Sequence, residues 1–282
     1  MSVATPIEIG GTLVGRGRPL YIIAGPCVLE DPDEMLRVAE SLAATCAELG
    51  VGYCFKSSYL KDNRTSGDAY RGPGMDEGLK LLGRIGDAVG APVLTDVHAP
   101  GECAPAAEVV DVLQIPAFLC RQSSLLEAAG RAGRPVNLKK GQMVAAADMQ
   151  FGAAKLAAQG CDRILLTERG SFFGYRDLVV DYRSIDVMRR LGRPVVFDAT
   201  HSVQTPGSAD GTAGATGGKP ALIPVLARCG VAAGCDAVFL EVHPEPSRAL
   251  CDAGSQLPLE RFAPLVRGLA RLRELVNEEE GA

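Results

Sequence analysis

Three histidines, the only ones in this 282-residue sequence, each come at or just after the end of a short apolar, β-branched run. An acidic residue precedes each of them within two or three positions. The pairs are Asp96 with His98, Asp198 with His201, and Glu241 with His243. Imidazole and carboxylate groups transfer protons and bind metal ions. Because ligands bind at the carboxyl ends of strands in parallel α/β proteins, these residues predict one active-site face.

Lysine and arginine side chains occupy the same predicted strand ends, although the formal net charge of the chain is −5. Cations gathered at one end of the sheet would repel one another, so an anionic ligand that binds there is the simplest explanation of their position. Their spread suits two phosphate or carboxylate groups better than one. Solvated loop charges remain the alternative, above all for Lys140, because successive strand residues point to opposite faces. The set comprises Lys56, Lys61, Arg64, Arg121, Lys139, Lys140 and Arg169.

The elements that position these residues are eight short apolar runs separated by helix-like stretches. From Ile22 to Phe239 seven steps span 217 residues, about 31 per step, which is the length of a βα unit. Runs without polar alternation are typical of parallel strands buried on both faces. We therefore predict one (β/α)₈ barrel over residues 1–282. The runs are LYIIAGP, YCFKSS, PVLTDV, VLQIPA, PVNLKK, RILLTE, PVVFDA and AVFLEV.

Three local signals refine this prediction. Residues 1–19 read as a small hairpin that caps the bottom of the barrel. Asp31 is a plausible N-cap, with Pro32 at the first helical position of a helix that stops at Gly50. The Gly-rich stretch 206–220 lacks the spacing of a phosphate-binding P-loop, so we interpret it as a mobile lid.

Closing the barrel makes the first strand a neighbour of the last and brings four residues of metal-ligand type together. Cysteine, histidine and two carboxylates suit a divalent transition metal with room for water or substrate. Taken singly, Glu241 could instead be a salt-bridge partner inside the barrel, and His243 could be either a residue that supports the ligands from behind or a loop anchor. The predicted ligands are Cys27, His201, Glu241 and Asp252.

Composition excludes several classes of protein. Hydrophobic content of 47% and charged content of 22% are ordinary for a globular enzyme, and the negative net charge gives no support to nucleic-acid binding. No apolar run approaches a membrane span, and the N-terminus has no secretory signal. The nine cysteines form no CxxC pair, so apart from Cys27 we interpret them as small buried hydrophobes in a reducing cytoplasm.

Several strings in the sequence resemble those of 3-deoxy-D-manno-octulosonate 8-phosphate synthases. The resemblance runs from the first strand to the last helix. It rests on IAGPC (23–27), FKSSYLKDNRTS (55–66), VNLKKGQ (136–142), DATHSVQTPG (198–207), LEVHPEP (240–246) and CDAGSQLP (251–258). Enzymes of this family are (β/α)₈ barrels, usually homotetramers. They condense phosphoenolpyruvate with D-arabinose 5-phosphate and release phosphate, on the pathway to the inner sugar of lipopolysaccharide.

The resemblance implies a role for individual positions. Asn63, Arg64 and Thr65 would hold the pentose phosphate, with Arg121 reaching across from a neighbouring subunit. Phosphoenolpyruvate would be held by Lys56, Ser58, Lys61, Gln114, Pro116, Ala117, Lys139 and Arg169. One branch of the family has Asn in place of Cys27 and works without metal. The other has Cys and requires a divalent ion such as Zn²⁺, Fe²⁺ or Mn²⁺, and this sequence resembles the second branch.

Catalysis would then fall to Lys139, which is placed to protonate the reacting centre, while Asp96, His98 and Asp198 could relay protons. A related condensation uses erythrose 4-phosphate, and those enzymes typically carry Lys-Pro-Arg-Thr after the second strand. Here the segment from Lys61 to Ser66 reads KDNRTS, close to the Asn-Arg-Ser form of the arabinose 5-phosphate enzymes. The same residues also leave open a silent sugar-phosphate-binding barrel and a metal-dependent aldolase that needs no phosphoenolpyruvate.

Overall fold

The computed structural model describes residues 5–62, 69–173, 177–205 and 217–281. Within these ranges, each of the eight predicted runs contains a strand of one parallel barrel. In chain order the strands are β1 (Ile7–Ile9), β2 (Thr12–Val14), β3 (Tyr21–Gly25), β4 (Gly52–Lys56), β5 (Val93–Asp96), β6 (Val112–Ile115), β7 (Val136–Lys139), β8 (Ile164–Glu168), β9 (Ser171–Phe172), β10 (Leu178–Val179), β11 (Val195–Asp198), β12 (Gln204–Thr205), β13 (Gly217–Gly218), β14 (Ala237–His243) and β15 (Leu257–Pro258).

The ring closes through the pairing of its first and last long strands. Strands β3 to β8 pair in sequence, β11 pairs with β8, and β14 pairs with both β11 and β3, all in parallel. The short strand β15 extends the end of β14, where Val242 is the register partner of Leu257. The predicted (β/α)₈ fold class is confirmed.

Helices follow the barrel strands and cover their outer faces. They are α1 (Pro32–Glu48), α2 (Met75–Val89), α3 (Cys103–Val109), α4 (Ser123–Arg131), α5 (Met149–Ala157), α6 (Arg183–Arg189), α7 (Ile223–Ala232) and α8 (Phe262–Gly281). The predicted start of α1 is confirmed, because the Asp31 carboxylate accepts the Glu34 N–H at 2.9 Å. Among the described residues, no helix combines the length and the apolar character that crossing a bilayer requires.

Alternation along the strands divides the barrel residues into two sets. Side chains such as Leu113, Leu138 and Leu166 pack outward in the large core with the helices. The other parity faces the barrel interior, where Tyr21, Leu94, Val112, Leu165, Val196 and Phe239 form a separate apolar cluster. Because the period is two, the next inward positions toward the carboxyl ends are fixed as well. Except for Gly25, these positions are polar, and they lie at the carboxyl ends of the strands.

The N-terminal hairpin closes the bottom of this inner cluster. Strands β1 and β2 pair antiparallel around Gly10 and Gly11, whose φ angles of 54° and 78° suit a two-residue turn that favours glycine. Ile7, Ile9 and Val14 belong to the same cluster as the inward residues of the barrel. The hairpin therefore shields the apolar lower layers from water at the end opposite the polar layer.

The predicted lid segment lies mostly outside the described residues, which omit 206–216. Its two described ends are paired, since Gln204 is the register partner of Gly218 and Thr205 that of Gly217. The backbone N–H of Lys219 donates to Val203 at 2.9 Å. Both ends of the segment are thus anchored beside the carboxyl end of β11.

Candidate active site and metal centre

A cavity of about 660 Å³ opens at the carboxyl ends of the strands, on the face that the three histidine motifs predicted. Most residues singled out in the sequence line this cavity. They are Lys56, Lys61, Asp96, His98, Gln114, Pro116, Ala117, Arg121, Lys139, Arg169, His201 and Asp252. Cys27, Ser58, Asp198 and Glu241 lie fully buried beneath it. Asn63, Arg64 and Thr65 fall outside the described residues.

Two groups of potential metal ligands meet in this region and share one residue. The ligand atoms of His201, Glu241 and Asp252 all lie within 4.8 Å of one another, and so do those of Cys27, Cys251 and Asp252. Asp252 has a φ of 48°, the left-handed region that aspartate tolerates better than most residues. Imidazole, thiolate and carboxylate donors together form a set that suits a divalent transition metal.

Glu241 is a fully buried charge of the site. One of its oxygens accepts a hydrogen bond from Lys56 Nζ at 3.0 Å and lies 3.7 Å from His201 Nε2. The other oxygen, Oε2, has no hydrogen-bond partner in the described part of the chain. Burial alone would raise its pKa, but His201, Lys56 and Lys61 hold the pKa at about 2. An ionised carboxylate oxygen that has no hydrogen-bond donor is suited to bind a cation.

Asp198 fixes both a histidine and a lysine. Its Oδ2 lies 2.8 Å from His201 Nδ1 and accepts a hydrogen bond from Lys139 Nζ at 2.7 Å. With Nδ1 held by this carboxylate, the His201 Nε2 lone pair is free to point toward Glu241 and Asp252. Lys139 Nζ also lies 3.8 Å from the centroid of the Phe239 ring. Burial lowers the pKa of Lys139 despite the adjacent carboxylate.

Arg169 lines the cavity and has one buried donor without a partner among the described residues. Its Nη2 donates to Gln204 Oε1 at 2.9 Å, whereas its buried Nη1 has no partner among the described residues. Gln204 also donates to Asp252 Oδ2 at 2.8 Å. One amide therefore joins the guanidinium to a potential metal ligand. A guanidinium at the wall of a cavity suits a bound phosphate or carboxylate.

Asp96 and His98 occupy different surroundings. Asp96 accepts hydrogen bonds from Ser58 Oγ and Gln114 Nε2, and Lys56 Nζ lies 3.7 Å from it. Burial opposes ionisation, but Lys56 and Lys61 hold its pKa well below the usual range. His98 instead lies beside Glu102, with Nδ1 3.4 Å from Oε2.

The sequence left the roles of Lys140 and His243 open. Neither residue lines the cavity, and both hold neighbouring loops in place. Lys140 Nζ donates to the carbonyls of Gly141 and Gly170 and to Ser171 Oγ, so it holds the loops after β7 and β8. His243 Nδ1 accepts the Glu245 N–H at 3.0 Å, and its Nε2 lies 3.5 Å from a Glu30 oxygen. The first of these contacts joins the imidazole ring to the backbone of the loop after β14. His243 is therefore a loop anchor.

Cys251 and Gln204 are site residues that sequence reasoning did not single out. Cys251 Sγ lies 3.1 Å from Cys27 Sγ, and both Cys251 and Gln204 line the cavity. Both stand within strings that carry the resemblance, but no spacing rule separates them from their neighbours. The alternation of side chains along a strand could have identified Asn137 as well. It lies two positions before Lys139 on β7 and therefore points to the same side, into the barrel.

The sequence profile of the DAHP synthetase I family matches residues 4–277 of the chain. Three relatives are named 2-dehydro-3-deoxyphosphooctonate aldolase. The protein of Trichlorobacter lovleyi is 52% identical over 271 residues, which cover 96% of this chain and 98% of the relative. That of Desulfatibacillum aliphaticivorans is 50% identical with the same coverage, and that of Desulfotalea psychrophila is 46% identical over 283 residues, 99% of this chain and 100% of the relative.

This chain belongs to the DAHP synthetase I family, within its 2-dehydro-3-deoxyphosphooctonate aldolases. That name is a synonym of the synthase family that the sequence motifs resemble, so the predicted membership is confirmed. The names of the relatives favour the octulosonate condensation over the condensation with erythrose 4-phosphate.

Proposed function

We propose that this enzyme condenses phosphoenolpyruvate, D-arabinose 5-phosphate and water to 3-deoxy-D-manno-octulosonate 8-phosphate and phosphate. The observation that carries the proposal is the cavity, in which buried cations surround a carboxylate and imidazole cluster, in a chain about half identical to the named aldolases. The pathway to the inner sugar of lipopolysaccharide would consume the product. Nine cysteines without a disulfide fit a reducing compartment, and we propose a cytoplasmic homotetramer.

Phosphoenolpyruvate would bind against the buried cations. Arg169 supplies an unpaired guanidinium N–H, and Lys56 and Lys61 lie 3.0 and 3.9 Å from Glu241. These two lysines therefore keep positive charge near the floor of the cavity. Ser58, Gln114, Pro116 and Ala117 would complete this half of the site. Asn63, Arg64 and Thr65 would hold the pentose phosphate together with Arg121, which is exposed in a single protomer.

The residues at the cavity floor fit a divalent metal ion. Cys27, His201, Glu241 and Asp252 would hold it, and the donor set suits Zn²⁺, Fe²⁺ or Mn²⁺. When bound, such an ion polarises an oxygen and lowers the pKa of water. Asp198 keeps the His201 ring in the tautomer that leaves Nε2 available, and the Glu241 carboxylate is already ionised.

Lys139 is the proposed proton donor at the reacting centre. Its ammonium group is held by Asp198 and by the face of the Phe239 ring, which fixes the position of Nζ above the floor. A lysine whose pKa is lowered by burial gives up its proton more easily than an exposed lysine. Asp96, His98 and Asp198 would move protons between this centre and the cavity.

A substrate comparison tests the proposed reaction. Purified enzyme with phosphoenolpyruvate should release phosphate far faster with arabinose 5-phosphate than with erythrose 4-phosphate. Equal or reversed kcat/KM values would reject the octulosonate assignment. Turnover of a sugar phosphate without phosphoenolpyruvate would favour the metal-dependent aldolase, and binding without turnover would favour the silent barrel.

Metal removal tests the proposed ligands. Dipicolinate or EDTA should abolish activity, and a divalent transition metal should restore it. His201→Ala should lose both metal and turnover, whereas Cys27→Asn should retain metal poorly and keep some activity. Elemental analysis gives a readout that does not depend on activity. Cys46→Ala, which removes a buried thiol from α1, should keep the wild-type metal content. Full activity of rigorously metal-stripped enzyme would overturn the assignment.

A further inference from the structure

A chain of buried polar side chains runs around the inside of the barrel, and only part of it touches the cavity. Thr167 Oγ1 donates to Asn137 Oδ1 at 2.6 Å, and Asn137 Nδ2 donates to Gln114 Oε1 at 2.8 Å. Gln114 Nε2 then donates to Asp96 Oδ1 at 2.5 Å. The four residues stand on β8, β7, β6 and β5, and Asp96, Gln114 and Asn137 are register partners across adjacent strands.

The direction of this chain is fixed by the single carboxylate at its end. Ionised Asp96 can only accept, so Gln114 must turn its amide nitrogen toward it. The Gln114 oxygen then faces Asn137, which must therefore present its own nitrogen. The Asn137 oxygen in turn accepts from the Thr167 hydroxyl. Each amide has one orientation that satisfies both of its neighbours, and the opposite orientation would place two acceptors together.

Gln114 is the member of this chain that lines the cavity beside Asp96, whereas Asn137 and Thr167 are fully buried and do not line it. A carboxamide nitrogen carries two hydrogens. One of those on Gln114 is used by Asp96, which leaves the second for a ligand. Asp96 on one side and Asn137 on the other thus hold Gln114 in the one orientation that offers the cavity a donor.

We propose that Asn137 and Thr167 are positioning residues that hold the Gln114 amide with its N–H toward phosphoenolpyruvate. The assignment of that ligand to Gln114 rests on the proposed function. We infer that neither residue touches the substrate. Thr167 orients Asn137, and Asn137 orients Gln114, each through a single hydrogen bond. Asn137 thereby stabilises, from the strand on the other side of Gln114, the orientation that Asp96 selects.

Asn137→Asp and Asn137→Leu separate this role from simple packing. Aspartate is the closer match in shape, but it can only accept, so the introduced carboxylate faces the Gln114 oxygen and displaces that side chain. Leucine leaves the Gln114 oxygen without its donor but does not repel it, and the bond from Gln114 to Asp96 remains. We expect kcat/KM for phosphoenolpyruvate to fall about 10-fold in Asn137→Leu and about 100-fold or more in Asn137→Asp. The KM for arabinose 5-phosphate should change little.

Thr167→Val provides a milder variant that is expected to fold. It removes one hydroxyl at the start of the chain and should raise the phosphoenolpyruvate KM roughly 3- to 10-fold. Thr95→Val is the matched control. Thr95 is equally buried, on β5, but its hydroxyl donates to the Ser57 carbonyl at 2.9 Å and takes no part in the hydrogen-bonded series from Thr167 to Asp96. This control should leave the phosphoenolpyruvate KM unchanged.

Thermal unfolding measured on the same samples completes the test. If activity losses follow the losses of stability, or if Asn137→Asp is as active as wild type or more active than Asn137→Leu, the positioning role is wrong. If both Michaelis constants change equally, the residues serve packing alone. Failure of the wild-type enzyme to condense the two substrates would instead reject the proposed function, because these comparisons are made relative to wild-type turnover.

Discussion

At the scale of single residues, the site is built from charges that are buried but paired. Glu241 has no exposed surface and Lys56 only 1%, yet they lie 3.0 Å apart. Breaking such a pair leaves an uncompensated buried charge, which costs about 3–5 kcal/mol. The sequence reading that made Glu241 a salt-bridge partner and the reading that made it a metal ligand are therefore compatible. One oxygen meets Lys56, and the other has no partner among the described residues.

The contact between Cys27 and Cys251 leads to a prediction about oxidation. Their sulfur atoms are 3.1 Å apart, and Cys251 lines the cavity through which a small oxidant can enter. Peroxide would oxidise one thiol to a sulfenic acid, and the second would displace water to form a disulfide. We expect metal-stripped enzyme treated with hydrogen peroxide to lose two hydrogens per chain in intact mass. Dithiothreitol should reverse the change.

Matched variants locate this bridge. Cys251→Ser should not form it, whereas Cys229→Ser, which removes an exposed thiol, should form it as readily as wild type. Metal loading before oxidation should slow the reaction, because the ion would engage Cys27. A peptide map that joins another pair of cysteines would contradict the prediction.

At the scale of elements, the loops after the strands carry residues back to the strand ends. The short 3₁₀ turn after β5, Pro100–Glu102, returns Glu102 to His98. Glu102 accepts hydrogen bonds from the His98 backbone N–H at 2.8 Å and from Tyr59 Oη at 2.5 Å. Burial opposes its ionisation, but His98 and Tyr59 hold its pKa at about 2. This turn thereby fixes the position of His98.

The depressed pKa of Glu102 predicts a pH-dependent effect on stability. A carboxylate with a lowered folded-state pKa stabilises the fold above the ordinary value of 4.5, and this stabilisation is lost as the pH falls toward about 2. Glu102→Gln should therefore be less stable than wild type at about pH 7, with a difference that narrows below about pH 4.5. Urea unfolding over this range measures the effect.

Glu77→Gln is the control for this comparison. Glu77 forms an exposed pair with Lys80 on the first turn of α2, so its loss should change stability by less than about 1 kcal/mol at any pH. A Glu102→Gln deficit that stays constant as the pH falls would show that the ionised form is not responsible.

The strands and the site face were predictable, whereas several neighbours were not. Strands such as Val195–Asp198 are fully buried, so their apolar runs reveal them. Lys139 and Lys140 are adjacent and equally basic. Only the alternation of side chains along the strand decides that Lys139 and not Lys140 faces the cavity. The contact of Cys251 with Cys27 joins residues 224 positions apart. No local pattern encodes such a distance.

At the scale of the whole molecule, the bottom of the barrel is held by the last helix. Arg273 on α8 is 1% exposed and donates to the carbonyls of Gly15, Arg18 and Cys235. Its fourth bond reaches Asp236 Oδ1 at 3.0 Å, while Asp236 Oδ2 accepts the Val195 N–H. One side chain thus ties α8 to the segment after the N-terminal hairpin and to the start of β14.

Arg273→Met should destabilise the fold by about 3–5 kcal/mol, because it leaves Asp236 buried and unpaired. The double variant Arg273→Met with Asp236→Asn should recover part of this loss, since the asparagine oxygen can still accept from Val195. Kinetic constants of the folded fraction should stay near wild type, because the change lies at the end of the barrel opposite the cavity. Chemical denaturation and steady-state kinetics measure the two effects.

Arg267→Met tests whether any arginine on α8 would have this effect. Arg267 pairs with Glu48 on the surface, so its loss should cost less than about 1 kcal/mol. Equal destabilisation by the two substitutions would contradict the role assigned to Arg273.

The seam between β3 and β14 has a consequence for the order of events during synthesis. Cys27 follows β3 closely, and Glu241 is the register partner of Gly25 at the end of that strand. In a nascent chain the earlier barrel strands can pair one after another as they are synthesised. Cys27 and Glu241 remain apart until β14 has been synthesised and pairs with β3. An ion held by both could be acquired only after β14 has left the ribosome and docked. Retention of the metal would then show that β3 and β14 are paired.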